Sequence, residues 1–179
     1  MKRIIVSTMV SLDGVLENPQ NWSFDYWSDE IAKYAYDQLF ACDTLVMGRA
    51  TYEGFSEAWS ARAGNDAFAD RINSLPKFVA SRTLSGALTW NSTLFKNDLA
   101  AEVAQLKNQP GMDILQYGMG ELTYTLLQHG LIDELRLLVY PVAVGSGKRI
   151  FDTLEKTPLK LLETKTFNTG VVALHYQPA

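Results

Sequence analysis

The stretch Asp43-Thr44-Leu45-Val46-Met47-Gly48-Arg49-Ala50-Thr51-Tyr52-Glu53 decides how this chain folds. Thr44 to Met47 is a short, almost uninterrupted apolar run, the pattern of a strand buried on both faces in a parallel sheet. Gly48 ends it, and a helix is predicted from just after Gly48 towards Trp59. A strand that stops at glycine and turns at once into a helix presents free N–H groups to an anion. Arg49 adds a cation at that point, and Thr51 a hydroxyl donor.

Two more strands end in a comparable way. Phe78-Val79-Ala80 runs into Ser81-Arg82-Thr83, and Ile114-Leu115-Gln116-Tyr117 into Gly118-Met119-Gly120-Glu121-Leu122, where a helix from Glu121 to Gln128 is predicted. Ligands of open α/β sheets collect at the carboxyl ends of parallel strands. Each of these turns carries groups that suit a phosphate or a ribose. Arg49 and Arg82 can each make paired charge-assisted bonds to phosphate. Two arginines leaving neighbouring strands suit a 2′-phosphate, hence NADPH over NADH. Gly118-x-Gly120 forms a second place where backbone can approach a pyrophosphate or the nicotinamide end.

The other elements surround these three. Ile4 to Val10 reads as the opening strand, and Ser28 caps a helix with Ile31, Tyr34, Ala35 and Leu39 at helical spacing. Helices are also predicted from Asp66 to Leu75, stopped by Pro76, and from Asp98 to Lys107. A long strand is expected over Leu135 to Val144, then a turn at Gly145-Ser146-Gly147. A hairpin of Leu159 to Phe167 and Val171 to Tyr176 closes the chain. Strands alternate with helices first and then follow one another. The expected fold is one α/β domain over residues 1–179: three layers, with a mostly parallel central sheet and an antiparallel C-terminal edge.

Between Ser11 and Trp27 lies a loop with turns at Asp13-Gly14 and Asn18-Pro19 and four aromatics, Trp22, Phe24, Tyr26 and Trp27. They either cap the core or wall a ligand pocket. Composition narrows the partners. A net charge of −4, with the 16 Lys and Arg residues scattered, argues against a nucleic-acid surface. Cys42 is the single cysteine, so no intramolecular disulfide forms, and it reads as a small core residue. The two histidines, His129 and His175, lack ligand spacing, so no metal centre is expected. Met1-Lys2-Arg3 followed by Ile4-Ile5-Val6 imitates a signal sequence, but the apolar run breaks at Ser7. The expectation is a cytoplasmic protein with no membrane partner.

The quoted motifs, taken in order with Ser11-Leu12-Asp13-Gly14, Lys77 to Leu84, and Gly130-Leu131-Ile132-Asp133-Glu134-Leu135 continuing through Pro141, Gly145 and Gly147 to Phe151, resemble the dihydrofolate reductase-like superfamily. Within it the chain is most similar to the reductase (C-terminal) domain of the bifunctional riboflavin-biosynthesis deaminase/reductase. The resemblance implies an eight- or nine-stranded sheet, NADPH as hydride donor and commonly a homodimer. Carried over by motif, Gly48, Arg49 and Thr51 would hold the adenosine 2′-phosphate and pyrophosphate. Ser81, Arg82 and Thr83 would line the adenosine side. Gly118, Gly120, Glu121 and Leu122 would meet the diphosphate and nicotinamide ribose. The turn containing Leu12, Asp13 and Gly14, with the aromatic loop after it, would face substrate and nicotinamide. Asp25 and Asp29 are candidates, by position only, for the acidic residue that anchors a pterin.

The departures from the family pattern matter too. The paired-cysteine zinc motif of the deaminase is absent, as are the arginine-containing segment of the riboflavin enzymes after the second strand and the Trp-x-x-Pro-x-Asp loop of dihydrofolate reductases. Gly118-Met119 stands where those reductases have Gly-Gly.

Hydride transfer needs the nicotinamide stacked on a flat substrate and a proton for the reduced atom. Trp22, Phe24 and Trp27 are expected to help enclose the heterocycle, and Asp13 to orient it or relay a proton through water. The alternative for Asp13 is a turn-forming Asp-Gly pair. Three functions compete: an NADPH-dependent reductase of a pterin- or pyrimidine-like metabolite, the 5-amino-6-(5-phosphoribosylamino)uracil reductase of riboflavin biosynthesis, and a non-catalytic NADPH- or folate-binding protein. No Lys or Arg lies between Ser11 and Ser28, which favours the first over the second. A homodimer packed through the Leu135–Val144 strand and the final hairpin is expected.

Overall fold

The computed structural model describes residues 1–179. β1 (Ile4–Ser11) leads through the aromatic loop into α1 (Asp29–Phe40) and β2 (Cys42–Gly48), followed by α2 (Arg49–Ser60) and α3 (Ala67–Ser74). Then come β3 (Lys77–Ala80), β4 (Ser92–Leu94), α4 (Leu99–Asn108), β5 (Asp113–Tyr117) and α5 (Glu121–Gln128). β6 (Glu134–Tyr140), β7 (Leu159–Thr166) and β8 (Val172–Pro178) complete the chain. All eight strands form one sheet in the order β4-β3-β2-β5-β1-β6-β8-β7. The run from β4 to β6 is parallel, β8 lies antiparallel on β6, and β7 antiparallel on β8.

Successive side chains of a strand point to opposite faces, so the apolar runs supply two cores. Ile4, Val6, Val46 and Ile114 pack under Val103 and Leu106 of α4 and Leu122 and Leu126 of α5. On the other face Ile5, Leu45, Met47 and Leu115 meet Leu39 of α1, Tyr52 of α2 and Ile72 of α3. Emptying one of these fully enclosed positions, as in Leu45→Ala, costs about 2–5 kcal/mol. A third cluster, with Trp22, Ile31, Tyr140, Phe167 and Val171, seals the α1 side of β6 and β8. Cys42 is part of the core. Burial pushes its thiol up to about 12, and the thiol donates to the Leu39 carbonyl over 3.1 Å.

Two elements differ from expectation. β6 stops at Tyr140 instead of Val144, because Pro141 has no N–H for the ladder and the chain turns there. The Val142 N–H donates to the Tyr140 carbonyl over 2.8 Å, and the Val142 carbonyl accepts from the Leu12 N–H over 2.8 Å. β4 is an additional strand. It has three residues, two of them polar, and follows left-handed Trp90 (φ 60) and Asn91 (φ 50), so no alternation announces it. No helix is long and apolar enough to cross a membrane.

Towards the amino ends of the strands lies a buried ionic network. The Glu134 carboxylate accepts from Arg136 Nε over 2.7 Å and stands 3.2 Å from His175 Nδ1, while His175 Nε2 is 2.8 Å from the Tyr34 hydroxyl. Burial alone would raise the Glu134 carboxyl. Hydrogen bonds from His175 and Arg136 outweigh it and hold the group at about 2.

Candidate active site

The carboxyl ends of β3, β2 and β5 adjoin in the sheet, so the three turns singled out in the sequence form one edge. α1, α3 and α4 each begin at a residue (Ser28, Asp66, Asp98) whose side chain accepts from the first turn of the helix. α2 and α5 begin instead at Gly48 and Gly120, neither of which can supply a side-chain cap. The two helices that start at this edge therefore keep their N-terminal N–H groups free of such caps.

Arg49 opens α2. Its Nε donates to Glu53 over 2.8 Å and its Nη1 to the Thr83 hydroxyl over 2.6 Å, joining the β2 and β3 turns. Ser81 shapes its own turn: its hydroxyl accepts from the N–H groups of Thr83 and Leu84 at 3.1 and 3.0 Å. Arg82 projects into solvent and reaches Glu121 Oε2 at 3.4 Å. Gly118 has φ +76, and a Cβ on it would fall 2.8 Å from Thr51 Oγ1. Only glycine suits both that backbone and that approach. The Gly118-Met119 peptide is trans.

Gln116 and Thr123 escaped the sequence reading. Gln116 Nε2 donates to Thr123 Oγ1 over 2.6 Å and to the Gly118 carbonyl over 3.1 Å, and Thr123 Oγ1 also accepts from the Gly120 N–H at 3.3 Å. The pair braces the Gly118–Gly120 loop from behind. A glutamine inside an otherwise apolar strand was the available signal.

Some expected roles need correction. Leu122 is buried in the core under α5, so only its backbone can face a ligand. Trp22 is 8% exposed, packs edge-on to Tyr140 with ring centroids 5.5 Å apart, and donates from Nε1 to the Glu17 carbonyl, so it closes the core and walls no pocket. Phe24 and Leu12 are 67% and 70% exposed, and Trp27 and Asp25 also face solvent, so the aromatic loop forms no enclosure.

Asp13 is engaged by the fold. Its carboxylate accepts from the Ser11 hydroxyl at 2.6 Å and from the N–H groups of Val144 and Gly145 at 3.0 and 2.7 Å. Led by the Ser11 bond, these contacts hold its carboxyl well below the usual carboxylate range. Its geometry is that of a turn-holding acceptor.

The bonds to Asp13 also reveal a distant segment. Residues 145–151 run against the Ser11–Glu17 loop: the Leu16 N–H donates to the Lys148 carbonyl at 2.9 Å and the Ile150 N–H to the Gly14 carbonyl at 2.8 Å. Arg149 Nε donates to the Asp13 carbonyl at 3.1 Å. Lys148 Nζ lies 3.9 Å from where a Cβ on Gly120 would stand. Two cations thus reach the Ser11–Glu17 loop from more than a hundred residues away, and one of them, Lys148, also approaches Gly120. The absence of Lys and Arg between Ser11 and Ser28 therefore leaves this region with cations after all.

This arrangement can be compared with known proteins. Residues 2–173 match the family model of the RibD C-terminal domain. The chain belongs to that family. The uncharacterized Bacillus subtilis (strain 168) proteins YyaP and YwjB are 34% and 28% identical to it over 180 residues, covering 98% of this chain and 94% and 97% of theirs. Among solved structures, a candidate riboflavin biosynthesis protein of Shewanella sp. PV-4 superposes with a TM-score of 0.78 at 22% identity, covering 99% of both chains. The diaminohydroxyphosphoribosylaminopyrimidine deaminase/5-amino-6-(5-phosphoribosylamino)uracil reductase of Thermotoga maritima gives 0.71 at 12% identity, covering 99% of this chain and 57% of that one. A pyrimidine reductase-like protein of Corynebacterium diphtheriae gives 0.64 at 15% identity, covering 99% and 92%. The fold of this RibD C-terminal domain is dihydrofolate reductase-like, and its family supports an oxidoreductase of the riboflavin-biosynthesis type.

Proposed function

We propose that the protein is an NADPH-dependent reductase that delivers hydride to a small planar heterocycle, pterin- or pyrimidine-like. The observation that carries this is the meeting of Arg49 and Thr83, with Arg82 beside them, above two glycine-started helices on adjacent strand ends. The residues fit a phosphate-bearing dinucleotide. Gly118 leaves a side-chain-free approach beside the Thr51 hydroxyl, and Arg49 and Arg82 supply guanidinium groups for the 2′-phosphate. An open cleft of about 580 Å³ next to Ser81, with Leu84, Ala87, Leu94 and Phe95 as the apolar half of its lining, has room for an adenine ring.

Bound there, NADPH supplies the hydride. The chain orients it: Thr51 and the free N–H groups of α2 and α5 face the diphosphate, while Gln116 and Thr123 keep the Gly118–Gly120 loop in place. Asp13 acts as a positioning residue that fixes the turn carrying Leu12 and Gly14. The test is titration with NADPH and NADH, followed by a panel of dihydropterin, dihydrofolate and riboflavin-precursor substrates. Tighter NADPH binding with oxidation of NADPH by one panel member is expected. Equal or absent binding of the two dinucleotides overturns the cofactor assignment. Tight NADPH binding with no consumption supports the non-catalytic binder instead.

A second reading, reduction of 5-amino-6-(5-phosphoribosylamino)uracil, is favoured by Lys148 and Arg149, which bring two cations against the Ser11–Glu17 loop and so supply the charge that a phosphoribosyl group requires. The protein also pairs, in this proposal, with a second copy through β7. That strand is a long exposed edge carrying Leu161 and Leu162, both about half exposed, and such edges invite pairing.

A further inference from the structure

The Arg82–Glu121 contact has a position that its weak energy does not suggest. Arg82 follows β3 and Glu121 opens α5, which follows β5. β2 lies between those strands. The pair, 3.4 Å apart, therefore crosses above the carboxyl end of β2, over the floor made by Gly48, Thr51 and Gly118. Arg82 and Glu121 are 87% and 74% exposed, so neither is held by packing. Arg49 is ordered differently: Glu53 and Thr83 hold its guanidinium on two sides, within its own helix and the next turn.

From this geometry, and resting on the NADPH assignment above, we infer that Glu121 is an affinity-setting residue: it holds Arg82 across the groove as a strap that a dinucleotide phosphate displaces. A phosphate monoester carries close to two negative charges and three acceptor oxygens against one charge and two oxygens for the carboxylate. It therefore outcompetes Glu121 for the guanidinium. Binding exchanges one ion pair for a stronger one, and the observed affinity is lowered by whatever the strap contributes in the free protein. Exposed pairs contribute little, so the effect is a few-fold. Glu121 also lies at the start of α5, close to where the diphosphate would approach, so like-charge repulsion is the rival explanation. The two explanations differ in whether Arg82 is needed.

A double-mutant cycle separates them, with NADPH affinity measured by calorimetry for the wild type, Glu121→Gln, Arg82→Ala and the double variant. The strap predicts that Glu121→Gln tightens NADPH by about threefold in the presence of Arg82 and leaves it unchanged in the Arg82→Ala background. Equal tightening in both backgrounds overturns the strap in favour of repulsion. Weaker binding in both overturns it in favour of a Glu121 contact to the ribose hydroxyls. Failure of all four proteins to bind NADPH overturns the cofactor assignment together with the strap, whereas additive effects among binding proteins overturn the strap alone. Thermal melts of the four free proteins check that each is folded.

Discussion

Arg49 Nη1 donates to Thr83 Oγ1 across 2.6 Å, so the first residue of α2 and the turn after β3 are joined directly. The guanidinium is thereby aimed before use, and little ordering remains to be done when a phosphate binds. Arg49→Ala is expected to raise the Kd for NADPH by about 10- to 100-fold, the range for charge-assisted hydrogen bonds. NADH affinity should change by less than about threefold in the same fluorescence titration. An equal loss for both dinucleotides would place the arginine away from the 2′-phosphate.

Gly118→Ala should be damaging for two independent reasons, the φ of +76 and the 2.8 Å approach of Thr51 Oγ1. A loss of about 1–3 kcal/mol is expected from the strained backbone, read as a fall of several degrees in Tm, together with loss of NADPH binding. Glycine 130, also left-handed at φ +63 but with nothing near its Cβ position, supplies the control. Gly130→Ala should destabilise by the backbone effect while NADPH binding persists.

The pH dependence at the acid end should follow Glu134. Its folded carboxyl sits at about 2, below the 4.5 of a free glutamate side chain. A depressed folded value stabilises above the unfolded one, and that contribution is lost as pH falls from about 4.5 towards 2. Urea unfolding of Glu134→Gln should therefore show a shallower decline across this window than the wild type. Identical slopes would remove Glu134 from the acid transition.

Lys77 sets an expectation of the same sign in alkali. It is 1% exposed, donates to the Asn73 and Leu75 carbonyls at 3.1 and 2.7 Å, and stands 4.2 Å from the Trp90 ring centroid, with no carboxylate partner. Burial lowers its folded value to about 8 from 10.5. The unfolded chain then binds more protons between these values, so this residue's contribution rises with pH from about 8 to 10.5. Lys77→Met should lack that rise, so the stability difference between wild type and variant should shift in favour of the wild type between about pH 8 and 10.5.

If β7 pairs with a second copy, Leu162→Asp should shift the light-scattering mass at micromolar concentration from dimer to monomer with the melting temperature little changed. A wild type of monomer mass would refute the pairing outright.

The three turns at the carboxyl edge were legible in the sequence because each follows a short apolar run bounded by turn residues, the pattern of a buried strand. Two of those runs, Thr44–Met47 and Ile114–Tyr117, lie inside the sheet and are buried on both faces. The antiparallel end was legible from the order of elements. What escaped is what depends on distance along the chain. Nothing near residue 13 announces that Asp13 will be met by Val144 and Gly145, or that Arg149 will bind its carbonyl. Trp22 was misassigned because an aromatic on a loop reads the same whether it faces a ligand or Tyr140. β4 escaped because three residues are too few to show a period.

The place of β1 in the sheet bears on how the chain is made. Its eight residues lie between β5 and β6, pairing Ile4 with Ile114 and Ser11 with Tyr140. The first of these eight strands in chain order is thus among the last to acquire neighbours, and β5 and β6 must emerge before the sheet can close around it. Until then β2, β3 and β4 can associate on their own, while the nascent β1 remains an unpaired, strongly apolar segment. Pairings so far apart in sequence slow folding and lengthen exposure of sticky surface. Synthesis stalled near residue 110 would leave a chain with half a sheet and a vacant slot, a natural substrate for chaperones.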